Sequence, residues 1–162
     1  MVLRSFAVAN PTSYTFLPGG LTRVGRAADA RQRFEAAVAT APRFPDALVN
    51  LGRALADLGD LHGAQARLRE ALVAAPGSVE ARCALARVLL ALRRPAEAEA
   101  LLREALGHRP AHAIALNLLG NALREQGRPG EALACYRQSQ RARPEHPEAW
   151  SNALVTMNAD PS

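Results

Sequence analysis

The chain of 162 residues repeats itself with a period of thirty-four residues. Three consecutive segments, 45–78, 79–112 and 113–146, align without a gap. Proline, alanine and leucine recur at fixed positions: Pro76, Pro110 and Pro144; Ala64, Ala98 and Ala132; Leu51, Leu85 and Leu119; Leu55, Leu89 and Leu123. A period of this length indicates a linear array, in which each unit buries its apolar face against its neighbours rather than in one closed core.

Each repeat is predicted to form two helices. Leu48, Leu51 and Leu55 follow the three-and-four spacing of one helical face, and Gly59 marks the end of that helix. A second helical pattern follows before the recurring proline. In the next repeat Pro95 stands at the start of the second helix, where its missing N–H is not needed.

Composition supports an all-helical chain. Alanine, the best helix former, accounts for 35 residues, whereas aromatic residues make up only 4%. Because aromatic and β-branched residues favour strands, their scarcity argues against an all-β protein.

The order of small and apolar residues resembles that of the tetratricopeptide repeat (TPR) family. The residues that carry the resemblance are Leu51, Gly52, Leu55, Gly59, Ala64, Leu68, Ala71 and Pro76, then Leu119, Gly120, Leu123, Gly127, Ala132, Tyr136 and Pro144. The resemblance implies a right-handed α-solenoid of helix-turn-helix units that acts as a non-catalytic protein-interaction scaffold. Two residues depart from the pattern: Arg82 stands in a leucine column, and Ser139 in an alanine column.

The ends of the array are irregular. We expect an extended N-terminal arm over 1–20 and a degenerate half repeat over 21–44, then the three full repeats, and a terminal helix over 147–158. That last helix offers an apolar surface for association with another copy, through Trp150, Leu154, Val155 and Met157. A solenoid end usually carries a polar outer face, so we expect this apolar one to be covered, either by another copy in a homo-oligomer or by a further domain of the protein.

Motifs for chemistry are absent. The sequence contains no phosphate-binding loop, no HExxH and no GxSxG motif, and we expect no enzymatic activity, catalytic residue or cofactor. No metal site is expected, because Pro110 separates His108 from His112 in a turn; His62 and His146 are also predicted to lie in turns. Two cysteines far apart in the chain predict free thiols and a cytoplasmic protein.

The resemblance also implies that the first helix of each repeat lines a concave, peptide-binding groove. The residues in groove positions are Asp46, Val49, Arg53, Asp57, Glu80, Cys83, Arg87, Leu90, Asn117, Asn121, Arg124 and Glu125, with Ala56 and Ile114 beside them. Arg53 and Arg87 occupy the same repeat position and predict an extended, partly acidic ligand. The alternative is that these arginines pair with Asp57, Glu80 and Glu125 and stay solvated.

The net charge of +5 does not by itself indicate nucleic acid. Arg69, Arg103 and Arg137 share one repeat position on the second helices, but no aromatic residues accompany them to stack bases. We therefore expect a solvated face, with neither nucleic acid nor membrane as a partner. All twenty basic residues are arginine, and Val49 stands where the carboxylate clamp of chaperone-binding TPR domains needs a lysine.

Two further interpretations stay open. The chain resembles the substrate-presenting repeats of a larger enzyme such as an O-linked N-acetylglucosamine transferase, although the asparagine ladder of that family is interrupted at Ala84 and Leu118, between Asn50 and Asn152. Alternatively, residues 1–20 occupy a groove, in an autoinhibited chain or in a swapped assembly.

Overall fold

The computed structural model describes residues 21–40, 44–145 and 147–158, and all of the regular structure in these ranges is helical. The predicted N-terminal arm lies outside the described residues, as does His146. The helices are α1 (Leu21–Thr40), α2 (Pro45–Asp57), α3 (Leu61–Ala74), α4 (Val79–Ala91), α5 (Pro95–His108), α6 (Ala113–Glu125), α7 (Pro129–Ala142) and α8 (Pro147–Asn158). From α2 onward, equivalent helices begin thirty-four residues apart, so the sequence period is also the structural period.

Three helices, α3, α4 and α6, begin where a side chain accepts a hydrogen bond from one of the first N–H groups, whereas α2, α5 and α7 begin with a proline and have no side-chain cap. Asp60 Oδ1 accepts from Gly63 N at 2.8 Å, and Ser78 Oγ accepts from Ala81 N at 3.1 Å. His112 Nδ1 plays the same part for Ala115 N at 3.2 Å. One prediction is wrong here: His62 lies in the first turn of α3 rather than in the preceding turn.

The turn inside each repeat requires a left-handed residue. Gly59 has φ +86° and Gly127 has φ +74°. The equivalent residue of the middle repeat is Arg93, which adopts φ 60° although it carries a side chain. The chain geometry of the repeat therefore overrides the local preference of this residue.

The two helices of a repeat meet through small residues. Ala64, Ala98 and Ala132 are fully buried, as the alanine column predicts. Opposite them, a Cβ atom built on Gly52 would lie 2.6 Å from Leu68 Cγ, so these helices approach too closely for a larger residue.

The array curves because its two sets of helices pack differently. Every helix contacts the next one in sequence, and the first helices also contact each other, α2 with α4, α4 with α6 and α6 with α8. Within the described ranges no such contact joins the second helices α3, α5 and α7. The first helices therefore form the inner, concave face, and the predicted all-α solenoid is confirmed.

Both departures from the repeat pattern are accommodated by hydrogen bonds. Arg82 is 9% exposed and its Nε donates to Glu104 Oε2 at 3.2 Å. Ser139 is fully buried and its hydroxyl donates to the carbonyl oxygen of Ala113 at 2.8 Å. A polar group that replaces an apolar one in the core thus finds its partner within the same repeat.

A cluster of charged residues ties the second and third repeats together. Glu99 accepts from Arg103 Nη2 at 2.7 Å, from Gln126 Nε2 at 2.7 Å and from Arg128 Nη1 at 3.0 Å. Partial burial on its own would raise the pKa of Glu99, but these hydrogen bonds outweigh it and lower the pKa to about 2. The carboxylate is therefore held in its charged form.

Candidate functional site: a basic pocket on the concave face

A pocket of about 190 Å³ opens on the concave face where α2, α4 and the start of α6 meet. It is lined by Arg53, Ala56, Asp57, Leu68, Glu80, Cys83, Ala84, Arg87, Val88, His112 and Ile114. We call it the basic pocket. Five of the predicted groove residues come together here: Arg53, Asp57, Glu80, Cys83 and Arg87. Aliphatic side chains and His112 provide the rest of its wall.

Arg53 and Arg87 are exposed, and neither has a carboxylate within ion-pair distance among the described residues. Burial of part of the side chain lowers the pKa of Arg53, and the positive charge of Arg87 lowers it further. The two guanidinium groups thus repel each other, and the negative charge of Glu80, on the same pocket wall, offsets part of this effect on the pKa of Arg53. Each offers planar, charged N–H donors that match a carboxylate.

Cys83 forms a buried part of the pocket wall, and its residue is 5% exposed. Burial raises the pKa of the Cys83 thiol to about 11, and the nearby charge of Glu80 acts in the same direction. Its sulfur lies 3.9 Å from His112 Nδ1. Cys83 is therefore a neutral thiol at ordinary pH and no activated nucleophile.

His112 is a pocket residue that the sequence interpretation missed. Its Nδ1 already accepts the N–H of Ala115, and burial lowers the pKa of the imidazole, so the ring is held neutral with its proton on Nε2. The signal was present in the sequence, because His112 stands one period after Ser78 and so holds the helix-capping position.

The acidic residues near the pocket pair with other arginines. Arg109 Nη1 donates to Glu80 Oε1 at 2.7 Å, which ties the start of α4 to the end of α5. Glu125 lies 3.6 Å from Arg93. In neither ion pair is the partner Arg53 or Arg87, although the charge of Glu80 still acts on the pKa of Arg53.

Most of the other predicted groove residues lie on the first helices outside the basic pocket. Asp46 is exposed at the start of α2, Arg124 is half-buried, and Val49 and Leu90 are buried in the packing between helices. Asn117 and Asn121 lie farther along, on α6. There they form hydrogen bonds with Asn152 of α8, and Asn121 also bonds Tyr136 of α7. The groove positions therefore fall into two groups of different chemistry.

The arginine column on the second helices is partly neutralised. Arg103 lies 2.7 Å from Glu99, and Arg69 bonds the side-chain oxygen of Gln65 at 2.9 Å when that amide is turned toward it. Glu70 and Glu104 are also paired, although with Arg67 and Arg82 rather than with the column. Such local pairs match a solvated outer face.

The C-terminal face carries exposed apolar side chains. Trp150, Leu154 and Val155 are 53%, 59% and 57% exposed, and the side chain of Met157 lies outside the described residues. Leu154 occupies the repeat position that Gly52, Ala86 and Gly120 fill in the preceding first helices.

Neither a metal cluster nor a membrane span is found in the part of the chain that the structure describes. No three His, Cys, Asp or Glu side chains there are grouped to hold an ion. None of the described helices combines the length and the apolar character needed to cross a bilayer.

Comparison with known sequences identifies the family. One tetratricopeptide repeat profile matches residues 49–113 and again 83–147, and a second matches residues 21–72. These matches cover more than half of the chain, and the chain therefore belongs to the tetratricopeptide repeat family. The TPR fold is that of a protein-interaction scaffold, and proteins of this kind are generally non-catalytic. No curated protein matches the chain significantly.

Solved structures share the fold at low sequence identity. TTC0263, a thermophilic TPR protein of Thermus thermophilus, is 22% identical, with a TM-score of 0.75 over 85% of this chain and 76% of that one. YrrB, described as a TPR protein with an unusual peptide-binding site, is 23% identical, with a TM-score of 0.64 over 86% and 72%. The first TPR of Spaghetti (RPAP3), bound to the HSP90 peptide SRMEEVD, is 19% identical, with a TM-score of 0.67 over 71% and 91%.

Proposed function

We propose that this protein binds an extended segment of a partner protein along its concave face, with an acidic side chain held in the basic pocket. The observation that carries the proposal is the pair Arg53 and Arg87, which face one pocket and form no ion pair within 4.0 Å among the described residues, although Asp57 and Glu80 also line that pocket. A carboxylate between them would relieve their repulsion and accept two charge-assisted hydrogen bonds.

Many of the other arginines form ion pairs within the fold. Arg31, Arg67, Arg82, Arg93, Arg94, Arg103, Arg109 and Arg128 each have a glutamate within 4.0 Å. Several other arginines also form no ion pair among the described residues, namely Arg69, Arg124, Arg137, Arg141 and Arg143; Arg53 and Arg87 differ from them in facing one pocket together. Two of the structural relatives bind peptides, and the peptide bound to the RPAP3 domain is itself acidic.

The aliphatic part of the pocket wall favours a ligand that carries an apolar side chain beside the acidic one. Ala84, Val88 and Ile114 lie beside the two arginines. A glutamate followed or preceded by a small aliphatic residue satisfies both parts, because apolar side chains gain free energy when they leave water.

The test is a titration with a fluorescein-labelled peptide of about twelve residues, in which glutamates alternate with valines. A second peptide carries glutamine at every glutamate position. We expect the glutamate peptide to bind at least about tenfold more tightly, which is the scale of one charge-assisted contact. Its affinity should also fall with added salt.

Protein variants assign that preference to the pocket. Arg53→Gln with Arg87→Gln should remove the preference for glutamate while leaving the helical circular dichroism unchanged. The matched control is Arg137→Gln with Arg141→Gln, which removes two exposed arginines from α7 and leaves the pocket intact. Equal binding of the two peptides to the parent protein, or an equal loss in both double variants, would refute the proposal.

A second activity, self-association through α8, is favoured by the exposure of Trp150, Leu154 and Val155. In earlier first helices, the position of Leu154 is small and admits the next helix, as between Gly120 and Tyr136. A leucine there does not suit another helix packed in the regular way, so we propose that a second copy covers this face. Sedimentation velocity should show a dimer that Leu154→Glu dissociates. Val73→Glu, which alters a valine that is 83% exposed on α3, should leave it intact.

A further inference from the structure

Two boundaries between full repeats carry equivalent clusters of side chains on the outer face. At the boundary between the second and third repeats, Glu99 accepts from Arg103 Nη2 at 2.7 Å and from Arg128 Nη1 at 3.0 Å. At the boundary between the first and second repeats, the residues thirty-four positions earlier are Gln65, Arg69 and Arg94. A neutral amide therefore stands where the later boundary has a carboxylate.

Gln65 arranges the two arginines of the earlier boundary as Glu99 does those of the later one. Gln65 is 7% exposed, and with its amide oxygen turned toward the donors, that oxygen accepts from Arg69 Nη2 at 2.9 Å and from Arg94 Nη1 at 3.1 Å. The equivalent guanidinium nitrogens bond Glu99 in the later cluster. A buried polar side chain therefore holds both guanidinium groups in place.

The two clusters differ in charge. The later one contains two arginines and two glutamates, because Arg128 Nη2 also donates to Glu131 Oε2 at 2.7 Å. Among the described side chains, the earlier one contains two arginines and a single glutamate, Glu97, which accepts from Arg94 Nη2 at 2.7 Å. The earlier cluster is thus left with one positive charge that the later cluster does not have.

The unbalanced charge belongs to Arg69. This residue is exposed, and no carboxylate in the described ranges lies within 4.0 Å of its guanidinium group. Glu70 follows it directly but accepts from Arg67 Nη1 at 2.8 Å. Because only Nη2 of Arg69 bonds Gln65, its Nε–H and Nη1 groups have no acceptor in that part of the chain, and they remain available to a ligand.

We propose that Gln65, Arg69, Arg94 and Glu97 form a carboxylate-binding site on the outer face, the outer site, which takes an aspartate or glutamate side chain of a partner protein. A carboxylate on Arg69 would balance the charge and accept two parallel hydrogen bonds from the exposed guanidinium group. The Glu99 cluster shows the equivalent balanced arrangement, since there the chain itself supplies the carboxylate. The outer site lies on the opposite face from the basic pocket, and the proposal does not depend on the proposed function.

The charge of the outer site favours a carboxylate over a phosphate group. A phosphorylated side chain carries roughly 1.5 to 2 negative charges at neutral pH. Part of that charge would remain unbalanced beside Glu97, which already accepts from Arg94. A carboxylate carries one negative charge, which is what the outer site lacks.

The first experiment measures the binding of acetate, the simplest probe for a carboxylate site, by NMR. A single exposed ion pair is weak, so acetate is added at concentrations on the order of millimolar, with sodium chloride at equal ionic strength as the control. We expect acetate to shift the Nε–H resonance of Arg69 saturably in ¹⁵N-labelled protein. Arg137 is the internal control, because it shares the repeat position of Arg69 but has Leu133 in place of Gln65. Its resonance should move no more with acetate than with chloride.

Two exchanges between the clusters test the comparison directly. Gln65→Glu supplies the missing carboxylate from within the chain, so it should abolish the acetate response of Arg69 and raise the melting temperature. Glu99→Gln opens the later cluster, and Arg103 should then acquire a response to acetate. If Glu99→Gln does not fold, Gln65→Glu decides the question alone. A destabilised Gln65→Glu would show that the outer site has no excess of positive charge, and would contradict the proposal.

The outer site and the basic pocket are tested independently, because every measurement is made with Arg53→Gln and Arg87→Gln in place. Equal shifts of Arg69 with acetate and with chloride, or a response that persists in Gln65→Glu, would overturn the outer site. Equal shifts of Arg69 and Arg137 would do the same. Saturation by inorganic phosphate at about a tenfold lower concentration than acetate would mean that the ligand is a phosphate group, and would overturn its assignment as a carboxylate.

Discussion

Gly120 and Tyr136 are packed so closely that a Cβ atom on Gly120 would overlap the aromatic ring. Tyr136 is fully buried, and its hydroxyl donates to Asn121 Oδ1 at 2.9 Å, so the ring cannot move aside without losing that hydrogen bond. We therefore expect Gly120→Ala to lower the free energy of unfolding by about 1–3 kcal/mol, as measured by urea denaturation.

The control for this prediction is Gly107→Ala. A Cβ atom on Gly107, near the end of α5, would meet nothing within 4 Å. Since alanine is also the better helix former, Gly107→Ala should leave stability unchanged or raise it slightly. Equal losses in the two variants would show that the close contact at Gly120 does not exist.

The alanine column predicts a second difference in stability. Ala98 is fully buried between α4 and α5, whereas Ala100 lies on the exposed side of the same helix. Ala98→Arg should destabilise the protein by about 3 kcal/mol or more, because it overpacks the contact and buries a charge. Ala100→Arg introduces the same side chain into solvent. A parent-like melting temperature for Ala98→Arg would contradict the packing described here.

Arg93 predicts a stabilising substitution. It adopts the left-handed conformation that glycine supplies in the other two repeats. Its ion pair with Glu125 is long, at 3.6 Å, and its side chain is 83% exposed, so little is lost with it. Arg93→Gly should therefore raise the free energy of unfolding by about 1 kcal/mol. Gly127→Ala, the reverse change one repeat later, should lower it. A destabilised Arg93→Gly would mean that the strain is absent.

The fold was predictable because its information is local and repeated. A period of thirty-four residues recurs in the proline, alanine and leucine columns, and the helices keep it. At Arg93 the local sequence does not predict the structure, since arginine does not favour the left-handed backbone conformation that this turn requires. Only its place in the thirty-four-residue repeat shows that it is equivalent to Gly59 and Gly127.

For the candidate site, the sequence could predict only which residues share a repeat position. Their shared repeat position predicts that Arg53 and Arg87 lie on the same face, where they line one pocket. It does not predict that Glu80 pairs with Arg109, twenty-nine residues later. Such pairing depends on side-chain reach across neighbouring helices. The same holds for Asn152, whose contacts with Asn117 and Asn121 exist only because α8 packs on α6.

The Glu99 cluster predicts how stability depends on pH. Because the folded pKa of about 2 lies below the ordinary value of 4.5, the cluster stabilises the protein fully above pH 4.5, and this contribution is lost as the pH falls toward 2. Glu99→Gln should cost about 1–3 kcal/mol at neutral pH, the scale of hydrogen bonds to a charged group. The difference from the parent should shrink through that window in urea titrations.

Glu70→Gln provides the comparison for that titration. Glu70 pairs with Arg67 at 2.8 Å, but both side chains are largely exposed, at 49% and 41%. Exposed pairs contribute little, so this variant should stay close to the parent at every pH. A Glu99→Gln penalty that does not change between pH 4.5 and 2 would refute the cluster as its source.

The reactivity of the Cys83 thiol reports on the structure of the basic pocket in the absence of a ligand. The thiolate is the reactive form, and burial places the pKa of Cys83 at about 11 instead of 9.0. In a Cys135→Ser background, the rate of alkylation by iodoacetamide should rise about tenfold per pH unit and show no plateau through pH 9. Arg53→Gln with Arg87→Gln removes two positive charges that lower this pKa, so the thiol should become less reactive at a given pH. A plateau near pH 9, or a faster reaction in that double variant, would show that Cys83 does not lie buried beside the two arginines.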